Sequence, residues 1–294
     1  MRREAFSDFH PAVNLAFFGG VLGVTMFLRH PVYITVSLAC GCVYTLYLLG
    51  RKRFVKQLLV LIPVLLGMAV LNPLFNHEGV TVLFYLPNDN PVTLEAAAFG
   101  LASAGMMGAS ILWFGCCNAV FTTDKIIYLF GRIIPGLSLL ISMTLRFVPR
   151  FMEYLKNVMQ TQQAMEAPKN PIQTLKQALA AFSATVSWAL EQSIVTADSM
   201  KSRGYGLTGR TAWSIYRFSR RDRVALAVFG VLCAGAVVPC VMGLTGWEFY
   251  PAMTGQLTGP IQLLAYICFG GACLMPLIID LVEDYRWNLL RSGI

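Results

Sequence analysis

Charge is scarce in this chain. Lysine, arginine, aspartate and glutamate together make up 13% of its 294 residues, while hydrophobic residues make up 56%. A soluble domain carries about a quarter charged residues. Scarcity on this scale, with apolar runs of membrane length, argues against a soluble fold and for a polytopic membrane protein. Acidic residues are scarcest, 15 against 23 lysines and arginines, giving a net charge of +8. In a membrane protein such an excess collects on the cytoplasmic face, so no nucleic-acid partner is expected.

Motifs that carry chemistry are missing too. There is no HExxH, GxSxG or Walker A pattern. The apolar runs hold almost no ionisable groups, and their main polar residues, Asn14, Asn72 and Asn118, lie near the ends of runs. Enzymes and proton relays inside a membrane need ionisable groups at depth, so neither is expected. The eight cysteines all sit in apolar runs without a CxxC pair, which suits small hydrophobic packing residues rather than a disulfide framework. His10, His30 and His77 show no metal-ligand spacing. The chain is therefore expected to be no enzyme and to bind neither metal nor cofactor directly.

What is present is a series of spans. Met1-Arg2-Arg3 before an apolar run resembles a signal peptide, but the run from Ala12 to Leu28 is long enough to cross a membrane and reads as a retained first helix. Arg29-His30-Pro31 ends it, and a second run reaches Leu49, closed by Gly50. Arg51 to Lys56 then reads as a compact basic loop, cytoplasmic by the positive-inside rule. A third run covers Gln57 to Phe75. The short apolar piece Val80–Leu86 reads as interfacial. The fourth run, Val92 to Phe121, places Gly100, Ala104 and Gly108 on one face, suited either to close helix packing or to a substrate path. Glu95 is expected at the interface rather than buried. Two further spans, Val224–Leu244 and Ile261–Val282, follow a basic linker with Trp213 and Tyr216, and Glu283 to Ile294 reads as a short tail. Six spans with both termini inside leave 22 of the 23 lysines and arginines on the cytoplasmic side and only Arg29 outside.

Residues 122–210 break this pattern. Thr122-Thr123-Asp124 is a helix start signal, and Lys125 to Ile134 is amphipathic, as at an interface. Pro135-Gly136 breaks it, and Leu137 to Leu145 is apolar but too short to span alone. A helix from Phe147 to Met165 follows. Ala167-Pro168-Lys169-Asn170-Pro171 stops it. From Ile172 to about Ser202, Leu175, Leu179, Phe182, Val186, Leu190, Ile194 and Ala197 recur every three or four residues, a one-sided apolar stripe. Gly204 stands where a helix-ending glycine belongs. The expected organisation is thus all-α: a four-helix transmembrane region over 1–121, a coupling-helix region on the cytoplasmic face over 122–210, and a linker with two further spans over 211–294. Arg203, in the last turn before Gly204, suits either a cation at a helix carboxyl end or a fork that pairs with a carboxylate on another protein.

The stretch Ala197-Asp198-Ser199-Met200-Lys201-Ser202-Arg203-Gly204-Tyr205 resembles the AMxARGY signature of the transmembrane T component of energy-coupling factor (ECF) transporters. Thr122 to Pro149, with Leu145-Arg146-Phe147-Val148-Pro149, resembles the stretch that opens the coupling helices of that family. His10-Pro11-Ala12-Val13-Asn14-Leu15 resembles its amino-terminal HPxxKL start, with Asn14 in place of lysine. The run Glu95-Ala96-Ala97 resembles the EAA signature of conventional ABC permeases but lies at the wrong end of its helix.

The ECF resemblance implies a scaffold in a prokaryotic cell membrane that couples two cytosolic ABC ATPases to a small membrane subunit, the S component, for uptake of a vitamin or metal ion. ATP would be bound by the ATPases alone. Two helix tips would dock on them: Ala197, Met200, Ser202, Arg203, Gly204 and Tyr205 at one, and Ala164, Glu166, Ala167, Pro168 and Lys169 at the other, where Pro168-Lys169 replaces the expected Arg-Gly. Contact with the S component would fall on Pro135, Leu139, Met143, Pro149, Phe151, Leu155, Leu179, Phe182 and Val186. Two other classes stay open at this point: a pore-lining permease of a conventional ABC transporter, and a membrane-embedded enzyme or self-contained carrier.

Overall fold

The computed structural model describes residues 5–76, 78–85, 91–165, 170–207, 216–255 and 258–292. The protein is an all-α polytopic membrane protein with two very short hairpins. It divides into two compact units, one formed by Met1–Lys125 with Tyr216–Ile294 and the other by Ile126–Ile215.

In the first unit, α1 (Pro11–Phe27) and α2 (Pro31–Phe75) start in the same way. A His-Pro pair places proline in the first turn, where its missing N–H costs nothing. The imidazole Nδ1 then accepts the amide N–H two residues on, His10 from Ala12 at 3.2 Å and His30 from Val32 at 3.3 Å. Gly50 breaks α2 with φ 76° and ψ 162°, a conformation open to glycine and strained for other residues. The basic run Arg51–Lys56, expected as a loop, is helical. One glycine makes the break, so no further residues are needed for a turn.

Four helices among the described residues are long and apolar enough to cross a membrane: α2, α3 (Leu94–Val120), α7 (Arg220–Val241) and α8 (Pro260–Ser292). The shorter apolar α1 joins them, and Gly50 divides α2 into two arms. The piece expected as interfacial contains β1 (Val82–Tyr85), which pairs antiparallel with β2 (Pro91–Thr93). β3 (Trp247–Glu248) and β4 (Thr254–Gly255) form the second hairpin. The segment expected as a tail continues α8 as helix to Ser292.

Glu95 corrects another expectation: it is only 3% exposed. Its carboxylate accepts the Thr81 hydroxyl at 2.7 Å and the Thr81 amide at 3.2 Å. The neighbouring Thr93 caps α3 at Ala96 and donates to the Glu78 carbonyl. The hairpin folds over the start of α3 and supplies the donors that burial of a carboxylate demands. Along α3, the Gly100 and Gly108 face is filled by α2. A side chain at Gly100 would meet the Ala69 carbonyl oxygen at 2.9 Å, and one at Gly108 would meet Leu65 at 3.0 Å. Close packing therefore occupies the face that also suited a substrate path.

The core of this unit is aromatic. Trp113 is fully buried among Phe17, Phe18 and Tyr44. Its indole N–H donates to Ser37 Oγ at 3.1 Å, and Ser37 meets Thr25 at 2.7 Å, so these three polar groups are paired inside the bundle. At one end of the unit, two buried carboxylates hold the amino-terminal segment. Asp280 of α8 accepts the Phe6 amide at 2.8 Å, and Asp222 of α7 accepts the His10 amide at 3.1 Å. Asp222 also closes a reciprocal capping box with Ser219.

The second unit holds α5 (Pro135–Met165), α6 (Pro171–Ser202) and all but the first turn of α4 (Thr123–Ile133). Leu137–Leu145, expected as a separate short stretch, is the first part of α5, which continues through Pro149 without a break. α5 and α6 meet at an aromatic clasp. The Trp188 ring stacks on Tyr154 at 4.4 Å and meets Phe151 edge-on at 5.7 Å. Small residues precede it on the same face of α6: Ala181 and Thr185 are buried there, one and two turns back.

Candidate functional site

α6 ends in a defined structure rather than fraying. The Tyr205 amide bonds the Met200 carbonyl and the Gly204 amide bonds the Lys201 carbonyl, both at 3.0 Å. Gly204 has φ +77°. These two bonds around a left-handed glycine are a Schellman motif, which satisfies carbonyls that a helix end otherwise leaves unpaired. The Ser202 hydroxyl bonds back to the Ser199 carbonyl at 2.9 Å, and a second left-handed glycine, Gly206, turns the chain away.

The tip is therefore closed by backbone groups, and Arg203 is not needed to close it. Its own amide bonds carbonyls of the last turn. Its side chain is exposed and, among the described residues, makes no hydrogen bond or ion pair. The ion pair found among those residues is elsewhere, Arg221 with Glu283 at 3.9 Å. Lys201 stands two residues before Arg203 and is exposed as well. Two cations thus sit where the negative end of the helix dipole favours them, and the guanidinium fork bonds no group among the described residues.

The other predicted tip residues are placed as follows. Ala197, Ser202 and Tyr205 are exposed, and Met200 and Gly204 are half-buried. Ala164 is exposed at the end of α5. Glu166, Ala167, Pro168 and Lys169 lie outside the described residues.

Among the residues expected to meet an S component, Pro135 opens α5, and Leu139, Met143 and Leu155 are half-buried along it. Phe151 is taken up by Trp188, and Pro149 is exposed. On α6 the apolar stripe faces outward: Leu175, Leu179, Phe182, Val186, Leu190 and Ile194 are between 42% and 64% exposed. Among the described residues, this apolar face is left largely uncovered. No cluster of His, Cys, Asp or Glu among the described residues could hold a metal ion.

Sequence reasoning missed Lys125 and placed it on an amphipathic surface. It is 4% exposed, and its Nζ donates to the carbonyl and hydroxyl oxygens of Ser7 at 2.6 and 2.8 Å and to the Val120 carbonyl at 2.8 Å. Asn14, where the resemblance expects lysine, is fully buried beside it. With its side-chain amide turned to the orientation that satisfies both atoms, Nδ2 donates to the Phe6 carbonyl at 3.1 Å and Oδ1 accepts from the same Lys125 ammonium at 3.3 Å. Nothing local in the sequence marks this convergence.

No protein-family model matches the chain. Two curated proteins are similar to it. The "Energy-coupling factor transporter transmembrane protein EcfT" of Lactobacillus helveticus (strain DPC 4571) is 33% identical over 103 residues, 34% of this chain and 37% of that protein. The "Energy-coupling factor transporter transmembrane protein EcfT 1" of Listeria monocytogenes serotype 1/2a (strain 08-5578) is 27% identical over 205 residues, 64% of this chain and 75% of that protein. The likeness is to ECF transmembrane proteins, and it is distant. This chain matches little more than a third of the first relative's length and three quarters of the second's.

Proposed function

We propose that this chain is the transmembrane coupling component of an ECF-type importer. It has no catalytic role and binds no cofactor itself. Two cytosolic ABC ATPases dock on its helix tips, and a small membrane S component that binds the micronutrient lies against its coupling helices. The observation that carries this reading is the tip of α6. A helix end already closed by its own backbone carries an exposed arginine whose side chain no described residue bonds. An acidic groove on another protein suits that fork, because a guanidinium pairs bidentately with a carboxylate. The likeness to proteins named as ECF transmembrane components supports the same assignment.

The apolar stripe of α6 supports the second contact. It offers a partner inside the membrane the shape-dependent packing by which helices associate in lipid. The reading places the basic run Arg51–Lys56, the tips and both termini on the cytoplasmic side, as the distribution of lysine and arginine favours. A pore-lining permease is the weaker reading, since the small-residue face of α3 is filled by α2.

Purification of the tagged chain from native membranes tests the assignment. Two ABC ATPase subunits and a small hydrophobic membrane protein are expected to accompany it. Arg203→Glu should release the ATPases while the chain stays folded. A wild-type chain that carries out uptake alone in liposomes, or an Arg203→Glu complex that keeps its ATPases and its uptake, would overturn the reading.

A further inference from the structure

The α3 to α4 junction in the first unit is short. α3 ends at Val120, only Phe121 and Thr122 intervene, and α4 begins at Thr123. The chain enters the second unit directly after Lys125. Whatever fixes the first turn of α4 therefore fixes the point from which the coupling helices depart.

Lys125 is placed to do this. Its ammonium has three donors on a compact centre, and the acceptors it reaches belong to three separate parts of the chain. The Val120 carbonyl is one of the terminal carbonyls that α3 leaves without an intrahelical donor. Such carbonyls carry the negative end of the helix dipole, so a cation there is favoured over a neutral donor. The Ser7 oxygens belong to the amino-terminal segment, and Asn14 belongs to α1. That segment is held in turn by Asp280 of α8 and Asp222 of α7. The anchor is thus fastened to α1, α3, α7 and α8 together.

We propose that Lys125 is a positioning residue for coupling. It ties the first turn of α4 to α1, α3 and the amino-terminal segment, so that displacement of the helix tips would be worked against that base and delivered to the S component. This role rests on the function proposed above. Without the tie, ATP-driven motion would be dissipated by local opening of α4, and ATP would be hydrolysed with little transport.

The test compares the complete transporter carrying Lys125→Met or Lys125→Gln with the unmodified one, by substrate imported per ATP hydrolysed. A residue that served only stability would lower both rates together. A positioning residue is expected to leave ATP hydrolysis within about twofold and to lower the import ratio about tenfold or more, a typical coupling magnitude. Glutamine retains an N–H donor and should fall between methionine and lysine. Hydrogen exchange on the chain by itself in detergent gives a readout that needs no partner. The amides of residues 126–130 should exchange faster by roughly tenfold to a hundredfold in Lys125→Met, as the loss of a charged hydrogen bond in a locally opening turn predicts.

An unchanged import ratio, or unchanged exchange over 126–130, would overturn the proposal. So would failure of both variants to accumulate in the membrane, which would make Lys125 a folding determinant. If the unmodified chain gains no ATP-dependent uptake from its partners, the function itself has been misread, and the exchange data still decide whether Lys125 holds α4.

Discussion

The two units treat their marked polar groups in opposite ways, while both leave large apolar side chains exposed. In the first, Asp222, Asp280, Lys125, Glu95 and the Trp113 indole are all buried and all bonded within the unit. In the second, Arg203 is exposed and its side chain bonds no other described residue, and six large apolar side chains of α6 are exposed. The aromatic clasp of Tyr154, Phe151 and Trp188 holds α5 to α6. The second unit exposes its tip and its stripe, and under the function proposed above a partner would supply carboxylates at the tip and apolar helices along the stripe.

Arg203→Glu is the most severe way to break this contrast. If the guanidinium is reserved for a partner, charge reversal should abolish ATPase association. Loss of one member of a buried charge pair alone costs about 3–5 kcal/mol. The chain's own stability should move by no more than about 0.5 kcal/mol, as for other surface changes. Parallel binding and unfolding measurements check both halves, and a large loss of stability would mean that the tip serves the chain itself.

Asp222→Ala should produce the reverse result. It removes the capping box of α7 and the acceptor of the His10 amide. The expected loss is about 2–3 kcal/mol of stability, read as earlier unfolding in a detergent titration. ATPase affinity per folded molecule should be unchanged. Weakened affinity at full stability would show that the first unit and the docking surface are not separable in this way.

The contrast also explains how much was legible beforehand. The α6 stripe, the Gly204 stop and the Arg203 tip are local features, set by spacing within one helix, and they stand where periodicity placed them. The break at Gly50 was visible as well, but not that Arg51–Lys56 would stay helical, because one glycine can supply a turn that usually takes several residues. Burial of Glu95 depends on a hairpin that folds back over α3. The buried charges at the amino-terminal segment depend on contacts between residues separated by 118, 212 and 274 positions. No periodicity reports pairings of that range. Charges in a greasy sequence are naturally assigned to the surface, and these are the ones the fold takes inside.

Gly204→Ala sharpens the comparison at the level of shape. The residue keeps φ +77° to close the Schellman motif, and a side chain there costs about 1–2 kcal/mol. A Cβ would also come within 3.1 Å of Leu207. The tip should open in a fraction of molecules, and ATPase affinity should fall by about tenfold with Arg203 intact, which corresponds to about 1.4 kcal/mol. The helix content of the whole chain should be unaffected in circular dichroism. Undiminished affinity would show that the charge of Arg203 acts without the geometry that presents it.

The smallest effect should come from the other tip. There the sequence has Pro168-Lys169 where the resemblance expects Arg-Gly, so any docking at this tip would rest on a point charge rather than a planar fork. A lysine holds a carboxylate without bidentate geometry, and exposed pairs of that kind contribute at most about 1 kcal/mol. Lys169→Ala should therefore weaken ATPase binding by no more than about fivefold, well below the loss for Arg203→Ala. The pair of alanine variants, titrated against the same ATPases, decides whether coupling is lopsided. A larger loss for Arg203 would mean that one tip carries most of the grip. Equal losses would mean that the partner compensates for the missing arginine, with a groove that accepts an ammonium as readily as a guanidinium.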